Sequence, residues 1–369
     1  MNIKSLLLGS GVMLLAMSSA RAADAVEVVA EPEPMEYVRI CDTYGEGFYY
    51  IPGTETCLRV GGYVRYDIGI NSLGWQDVLD KKDLAAGVLN LNDTYYKRAR
   101  AALELDARSE TELGTLRAYS QINFDYDNVR LDIDDLDGDG ELEGITSTET
   151  SIEIEHAYIE LGGFRIGKTD SLFSTFTSYA GAVINDDLVP YGPFGTHQIV
   201  YTFDSGKGFT AAIGLEEGED VYTLDSYVPH IVAGAGYTAD WGGVSVVGGY
   251  DSVWEEYAVK GRVDVTASEA ISLFAMVGYG SDDNVDFSFY KIWGGNWAIW
   301  AGGTATLSDK AALNVQVGYD DDDNFAAVAN VEYTLVPQFV ITPEVAYTDN
   351  FDVDGDGEVG GYLRFQRNF

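Results

Sequence analysis

Basic residues are scarce: 22 Lys and Arg stand against 60 Asp and Glu, a formal charge of -38. A polyanion such as nucleic acid, or an anionic lipid headgroup layer, would be repelled by such a chain, so no nucleic-acid partner is expected. Long apolar runs are missing as well. No stretch beyond the first seventeen residues approaches the roughly 18 to 20 consecutive apolar residues that a membrane-spanning helix needs. If this chain resides in a membrane, it crosses as strands. Proline is sparse at 8 residues and histidine sparser at 3. His156, His197 and His230 stand alone without metal-ligand spacing, so structural roles are expected of them and no cofactor. No local signature joins a Ser, a His and an oxyanion donor, and no enzymatic activity is expected.

What is present begins with an export signal. Lys4, the apolar run Leu6 to Met17 and the small-residue site Ala20-Arg21-Ala22 predict a signal peptide over residues 1–22, cleaved after Ala22. Residues 23–40, containing Glu31-Pro32-Glu33-Pro34, read as a solvated periplasmic linker. The only two cysteines, Cys41 and Cys57, then lie in an oxidising compartment, where an even count pairs; one disulfide closing the loop 41–57 is expected. High charge with modest hydropathy also describes disordered chains, but 25 Tyr, 16 Phe and 6 Trp are too many aromatics for that. With 42 Gly, the composition fits a large antiparallel sheet rich in tight turns.

From Leu58 onward the chain divides into segments of alternating polarity separated by turn residues. Sixteen strands are predicted, near 58–68, 95–107, 114–126, 151–161, 164–168, 197–203, 208–216, 230–238, 241–251, 255–265, 270–280, 295–307, 311–320, 323–335, 338–348 and 359–369. The connections sharpen the reading. Short links such as Gly162-Gly163, Ala239-Asp240 and Val336-Pro337 alternate with generally longer ones at 69–94, 127–150, 169–196, 217–229, 281–294 and 349–358. Short turns at one end and long loops at the other are what periplasmic turns and extracellular loops produce. The chain ends on an aromatic strand closing with Phe369, which in a barrel must pair with the first. The fold class is therefore all-β: a 16-stranded antiparallel transmembrane β-barrel in the outer membrane, over residues 41–369. A phase change between Ile154 and Ala157 predicts a bulge there.

Alternation also assigns the lumen, because a lipid-facing Arg near the midplane costs roughly 2 to 4 kcal/mol. Leu58, Val60 and Val64 facing lipid turn Arg59, Tyr63, Arg65 and Asp67 inward. The next strand sends Arg98, Arg100, Glu104 and Asp106 inward, and the third Arg117, Tyr119 and Gln121. Arg59, Arg65, Arg98, Arg100 and Arg117 thus stack on one wall. They either pair with Glu104, Asp106 or Glu160, or line the basic half of an ion pathway, partly solvated and held apart by repulsion. Lys168 joins the basic side. The segment 169–196 lacks strand patterning yet is apolar and aromatic, with Leu172, Phe173, Phe176, Tyr179, Val189, Tyr191 and Phe194. A loop of that composition is expected to fold into the barrel and pack on the inner wall. Its acidic side chains Asp170, Asp186 and Asp187, facing arginines, would set a transverse field across a constriction.

The block Gly45-Glu46-Gly47-Phe48-Tyr49-Tyr50-Ile51-Pro52-Gly53-Thr54-Glu55-Thr56-Cys57-Leu58-Arg59-Val60-Gly61-Gly62-Tyr63-Val64-Arg65-Tyr66 resembles the start of the general diffusion porins of alphaproteobacteria, the type 2 porins. Thr111-Glu112-Leu113-Gly114-Thr115-Leu116-Arg117-Ala118-Tyr119, Ala157-Tyr158-Ile159-Glu160-Leu161-Gly162-Gly163-Phe164, Gly167-Lys168-Thr169-Asp170-Ser171 and the ending Leu363-Arg364-Phe365-Gln366-Arg367 are similar to that family too. The resemblance implies a passive, water-filled homotrimeric channel in the outer membrane of a Gram-negative bacterium. Its third extracellular loop is folded inside, its surroundings are outer-membrane lipid and lipopolysaccharide, and small hydrophilic solutes and ions pass. A solute-specific channel and a barrel serving as adhesin or anchor are the alternatives.

Two acidic stretches copy half of a calcium loop, Asp135, Asp137 and Asp139 in one and Asp352, Asp354 and Asp356 in the other. Position 12 is Thr146 or Leu363 where a bidentate Glu belongs. They are weak Ca²⁺ candidates; solvated loop tips are the stronger reading, and no metal is expected.

Overall fold

A computed structural model describes residues 39–134, 143–351 and 357–369. The expected signal peptide 1–22, nearly all of the linker 23–40, and the calcium candidates Asp135, Asp137, Asp139, Asp352, Asp354 and Asp356 lie outside the described residues.

Sixteen antiparallel strands close on themselves. They are β1 (Cys57–Asn71), β2 (Tyr96–Thr111), β3 (Gly114–Asp134), β4 (Glu143–Leu161), β5 (Phe164–Asp170), β6 (Gly195–Asp204), β7 (Phe209–Glu216) and β8 (His230–Ala239), followed by β9 (Gly242–Tyr250), β10 (Tyr257–Ser268), β11 (Ile271–Gly280), β12 (Trp297–Ser308), β13 (Ala311–Asp320), β14 (Phe325–Val336), β15 (Phe339–Asp349) and β16 (Glu358–Asn368). Each pairs with its chain neighbours, and β16 pairs with β1 from Gly360↔Asn71 to Asn368↔Tyr63. Phe369 completes the seam, exchanging backbone hydrogen bonds with Gly62 at 3.0 and 3.2 Å. A closed sheet leaves no unpaired edge, so every strand's backbone groups can be satisfied in lipid.

Side chains obey the two-residue period. Val60, Val64, Tyr66, Phe124, Ile199, Val246, Leu273, Val315 and Val345 are exposed on the outer wall, where lipid replaces water as their solvent. Tyr237, Tyr250, Tyr279, Tyr333 and Tyr347 mark strand ends on the same face, a position that suits amphipathic rings. The bulge falls at Glu155, where the β3–β4 register passes from Gln121↔His156 to Ile122↔Ile154.

The connection at 127–150 is not a simple long loop. β3 and β4 run paired to Asp134 and Glu143, far past the expected end near 126. Beyond the bilayer no lipid face is required, so the sequence alternation that marks a strand fades while the backbone ladder continues. The connection at 69–94 likewise carries a short helix, Lys81–Ala85, capped by Asp80, between strands Trp75–Leu79 and Leu91–Thr94.

At the short-turn end Cys41 and Cys57 are joined, with Cα atoms 6.0 Å apart. The staple holds Phe48, 3% exposed, beneath the guanidiniums of Arg59 and Arg108 at 5.4 and 5.1 Å.

Candidate functional site

The barrel interior divides into a charged wall and a packed half. The charged wall spans β16 and β1 to β5. Adjacent-strand register sets its order: Arg65 lies opposite Arg100, Asp67 opposite Arg98, and Arg59 opposite Asp106. Two tiers result. In the first, Asp67 is fully buried between Arg98 at 3.0 Å and Arg364 at 2.8 Å, while Arg100 holds Asp125 through two bonds of 2.7 Å. In the second, Asp106 receives Arg108 at 2.7 Å, Arg117 at 3.1 Å and Arg59 at 3.8 Å. Glu160 is shared by Arg117 and Arg165, both at 2.9 Å.

Carboxylates, not repulsion alone, therefore space these arginines. Asp106 and Glu160 serve as partners; Glu104 has no arginine within 4.0 Å among the described residues. Arg65 differs from the other four wall residues. Its Nε donates to Gln366 at 2.7 Å and its guanidinium lies 4.4 Å above the Tyr63 ring, with no carboxylate within 4.0 Å among the described residues. Arg100 is the opposite case, because Asp125, 6% exposed, has that one cation within 4.0 Å among the described residues. Replacing Arg100 by Gln should cost about 2 to 4 kcal/mol of barrel stability, since the carboxylate is left buried and uncompensated. The midpoint of urea unfolding checks it; a variant as stable as wild type would show that pore water solvates Asp125.

The packed half holds the segment between β5 and β6. Ser171 caps the short helix Leu172–Thr175 by accepting from Phe173 N–H, and Phe173, Val189 and Tyr191 are all but fully buried against inward residues of β6 to β12, among them Val200, Val232, Val247 and Trp300. Burying Phe173 alone contributes on the order of 2 to 3 kcal/mol. Polar side chains from successive strands then grip the segment's backbone. Lys260 Nζ donates to Tyr191 O at 2.6 Å, Trp300 Nε1 to Val189 O at 2.8 Å and Gln316 Nε2 to Asp186 O at 2.6 Å. Glu344 accepts from the backbone N–H groups of Ile184 and Asn185 at 2.5 and 3.0 Å. A cavity of about 230 Å³ separates Val183 and Ile184 from Arg364 and Gln366.

Of the acidic residues singled out in the sequence, Asp170 ends β5 and accepts from the Tyr179 hydroxyl at 2.5 Å. Asp186 and Asp187 sit beyond the Glu344 anchor. Burial pushes the Asp186 carboxyl up to about 7, helped by the charges of Asp187 and Glu344 and opposed by the Tyr191 hydroxyl, which donates to it at 2.8 Å. Asp187 is exposed, and the protein around it also moves its carboxyl upward. Lys168 does not reach the arginine tiers; its Nζ donates to Glu155 O at 3.1 Å.

Sequence reading missed the grip residues Lys260, Gln316 and Glu344, and the wall members Arg108, Arg165 and Arg364. All lie at inward positions of the alternation, and that was the available signal. Two of the three histidines have structural partners: His156 Nδ1 meets Thr169 Oγ1 at 3.0 Å, and buried His230 accepts from Ser252 N–H at Nδ1 and bonds Tyr222 O through Nε2.

A closed barrel with a lipid-facing wall and a charged interior is an outer-membrane channel protein. A family profile described as the porin subfamily matches residues 24–360, and the chain belongs to that family. It is 47% identical to porin Omp2a of Brucella melitensis and 44% identical to porin Omp2b of Brucella suis, in both cases over 100% of each chain. Among solved structures, the outer membrane channel DcaP of Acinetobacter baumannii superposes with a TM-score of 0.62 at 17% identity, covering 87% of this chain and 99% of that one. OmpF of Salmonella typhi gives 0.58 at 9% identity, covering 85% and 98%. At such identities the structural likeness is one of fold.

Proposed function

We propose that the chain is a general diffusion porin: a passive, water-filled channel, without enzymatic activity, for small hydrophilic solutes and ions. In this reading the loop 169–196 forms the constriction, with Asp170, Asp186 and Asp187 facing the basic wall of Arg59, Arg65, Arg98, Arg100 and Arg117. Lys168 stands at the loop's base as a minor basic contributor. The observation that carries it is the one-sided grip on the loop. Side chains of β10 and β12 to β15 hold its backbone, and a cavity lies between Ala182, Val183 and Ile184 of the loop and Arg364, Gln366 and Asn368 of β16, the strand where the charged wall begins. A passage so bounded sorts solutes by size, charge and dipole.

Export by the signal peptide 1–22, the linker 23–40 and assembly as a homotrimer embedded among outer-membrane lipid and lipopolysaccharide complete the reading. The acidic loops favour cations at the mouth while the arginine wall pulls the other way. Purified protein in planar bilayers should give stepwise open-channel currents. Folded protein that inserts and yields no steps would remove the channel function and leave the adhesin or anchor.

A further inference from the structure

The connection between β11 and β12 reads in the sequence as an ordinary exterior loop, yet its second half turns into the barrel. Phe289, Tyr290, Lys291 and Trp293 are at most 2% exposed. Space for them exists because inward strand positions are glycine. A Cβ on Gly249 of β9 would meet the Tyr290 ring at 2.5 Å, and one on Gly278 of β11 would meet the Trp293 ring at 2.8 Å. The inserted rings sit in sockets that any larger residue would fill.

Two of the inserted rings, Tyr290 and Trp293, touch the loop that precedes β6 or a residue that grips it. The Tyr290 ring lies 5.3 Å from Phe173, near the loop's start. Its hydroxyl donates to Glu216 at 3.1 Å, and the same carboxylate accepts from Ser171 Oγ and from Leu172 N–H, both at 2.7 Å. Glu216 is thus one buried acceptor shared by two loops. Trp293 packs edge-on against Trp300 at 5.6 Å, whose indole N–H holds Val189 O near the loop's end. The segment is fixed in turn from behind: Phe289 stacks on His230 at 5.4 Å and its backbone N–H donates to Asp251 at 2.7 Å.

We propose that the segment 288–294 is a buttress that positions both ends of the constriction loop, with Tyr290 and Trp293 as positioning residues that set the width of the open pore and keep it open. This rests on the reading of 169–196 as the constriction. Without the buttress the loop keeps its grip at Glu344 and Gln316 but loses the packing face behind Phe173 and Trp300. Both of its ends are then free to shift into the vacated half of the barrel.

The experiment uses the full-length protein with Tyr290→Ala and Trp293→Ala combined, read by single-channel recording and by the size cut-off for neutral sugars in liposome swelling. Conductance should rise by about 1.5-fold or more, with a larger cut-off and frequent brief closures, since the field and width at a constriction govern conduction. Folded double variant with wild-type conductance, cut-off and closure rate would overturn the proposal. Should that variant not fold, Tyr290→Phe preserves the ring and removes one hydrogen bond. Closures should then become about threefold more frequent, the size a net hydrogen-bond contribution implies, and an unchanged closure rate would overturn it equally. Asp186→Asn with Asp187→Asn, measured alongside, separates the two readings. A selectivity shift there with an unaltered buttress variant rejects the buttress alone, whereas no shift rejects the constriction on which it rests.

Discussion

Replacing Arg65, Arg98 and Arg117 together by glutamine shifts the reversal potential in a salt gradient toward cations, with the cation-to-anion permeability ratio rising on the order of threefold or more. The three sites are chosen so that the barrel still folds. Asp67 keeps Arg364 at 2.8 Å when Arg98 is lost. Asp106 keeps Arg108 at 2.7 Å and Glu160 keeps Arg165 at 2.9 Å when Arg117 is lost. No buried carboxylate is left without a cation, so the large penalty for breaking a pair does not arise. Three positive charges leave the wall, and each of the carboxylates just named loses part of its neutralisation. Arg65 should contribute most per residue, because no carboxylate within 4.0 Å among the described residues cancels its field. The single variant Arg65→Gln should therefore carry a larger share of the shift than Arg98→Gln. An unchanged reversal potential in the triple variant would mean that ions pass elsewhere.

The barrel was legible because lipid on one side and water on the other impose a strict period of two. Val60 and Val64 against Arg59 and Arg65 record it, and the slip at Ile154 records its one interruption in β4. The extensions of β3 and β4 were not legible, since outside the bilayer both faces meet water and the alternation carries no information. The ion pairs were hidden for another reason. Arg98 and Arg364 share Asp67 although they lie 31 and 297 positions from it along the chain, and only register decides which carboxylate each guanidinium reaches.

The packed half was concealed by glycine. Gly249, Gly278 and Gly318 read as ordinary strand glycines, yet a Cβ at each would meet Tyr290, Trp293 or Val189. Glycine at these three inward positions is the footprint of a chain segment folded inside. Nothing in the sequence distinguishes Lys260 and Glu216 from charged side chains that face lumen water. Both are instead buried under loop backbone, one donating to Tyr191 O and the other accepting from Leu172 N–H.

If Asp186 lines the pathway as proposed, selectivity acquires a pH dependence that the arginines cannot supply, because guanidinium stays charged throughout the working range. The Asp186 carboxyl is pushed up to about 7, so its ionised form dominates above that value and its neutral form below. Cation preference should accordingly weaken as the solution is taken from about pH 8 to about pH 6, by the loss of one charge per channel at the loop. Asp186→Asn fixes the low-pH state: selectivity displaced toward anions at pH 8 and little further change on acidification. Adding Asp187→Asn displaces it further at pH 8. The difference between wild type and Asp186→Asn isolates this carboxyl from other groups that gain a proton on the way, imidazoles included. The Tyr191 hydroxyl that donates to Asp186 at 2.8 Å supplies an independent handle. Tyr191→Phe removes the side-chain bond that favours the carboxylate, leaving the backbone one, so the midpoint of the pH response should move upward while the selectivity at its two extremes stays the same. A midpoint that does not move when this donor is lost would assign the response to a group other than Asp186.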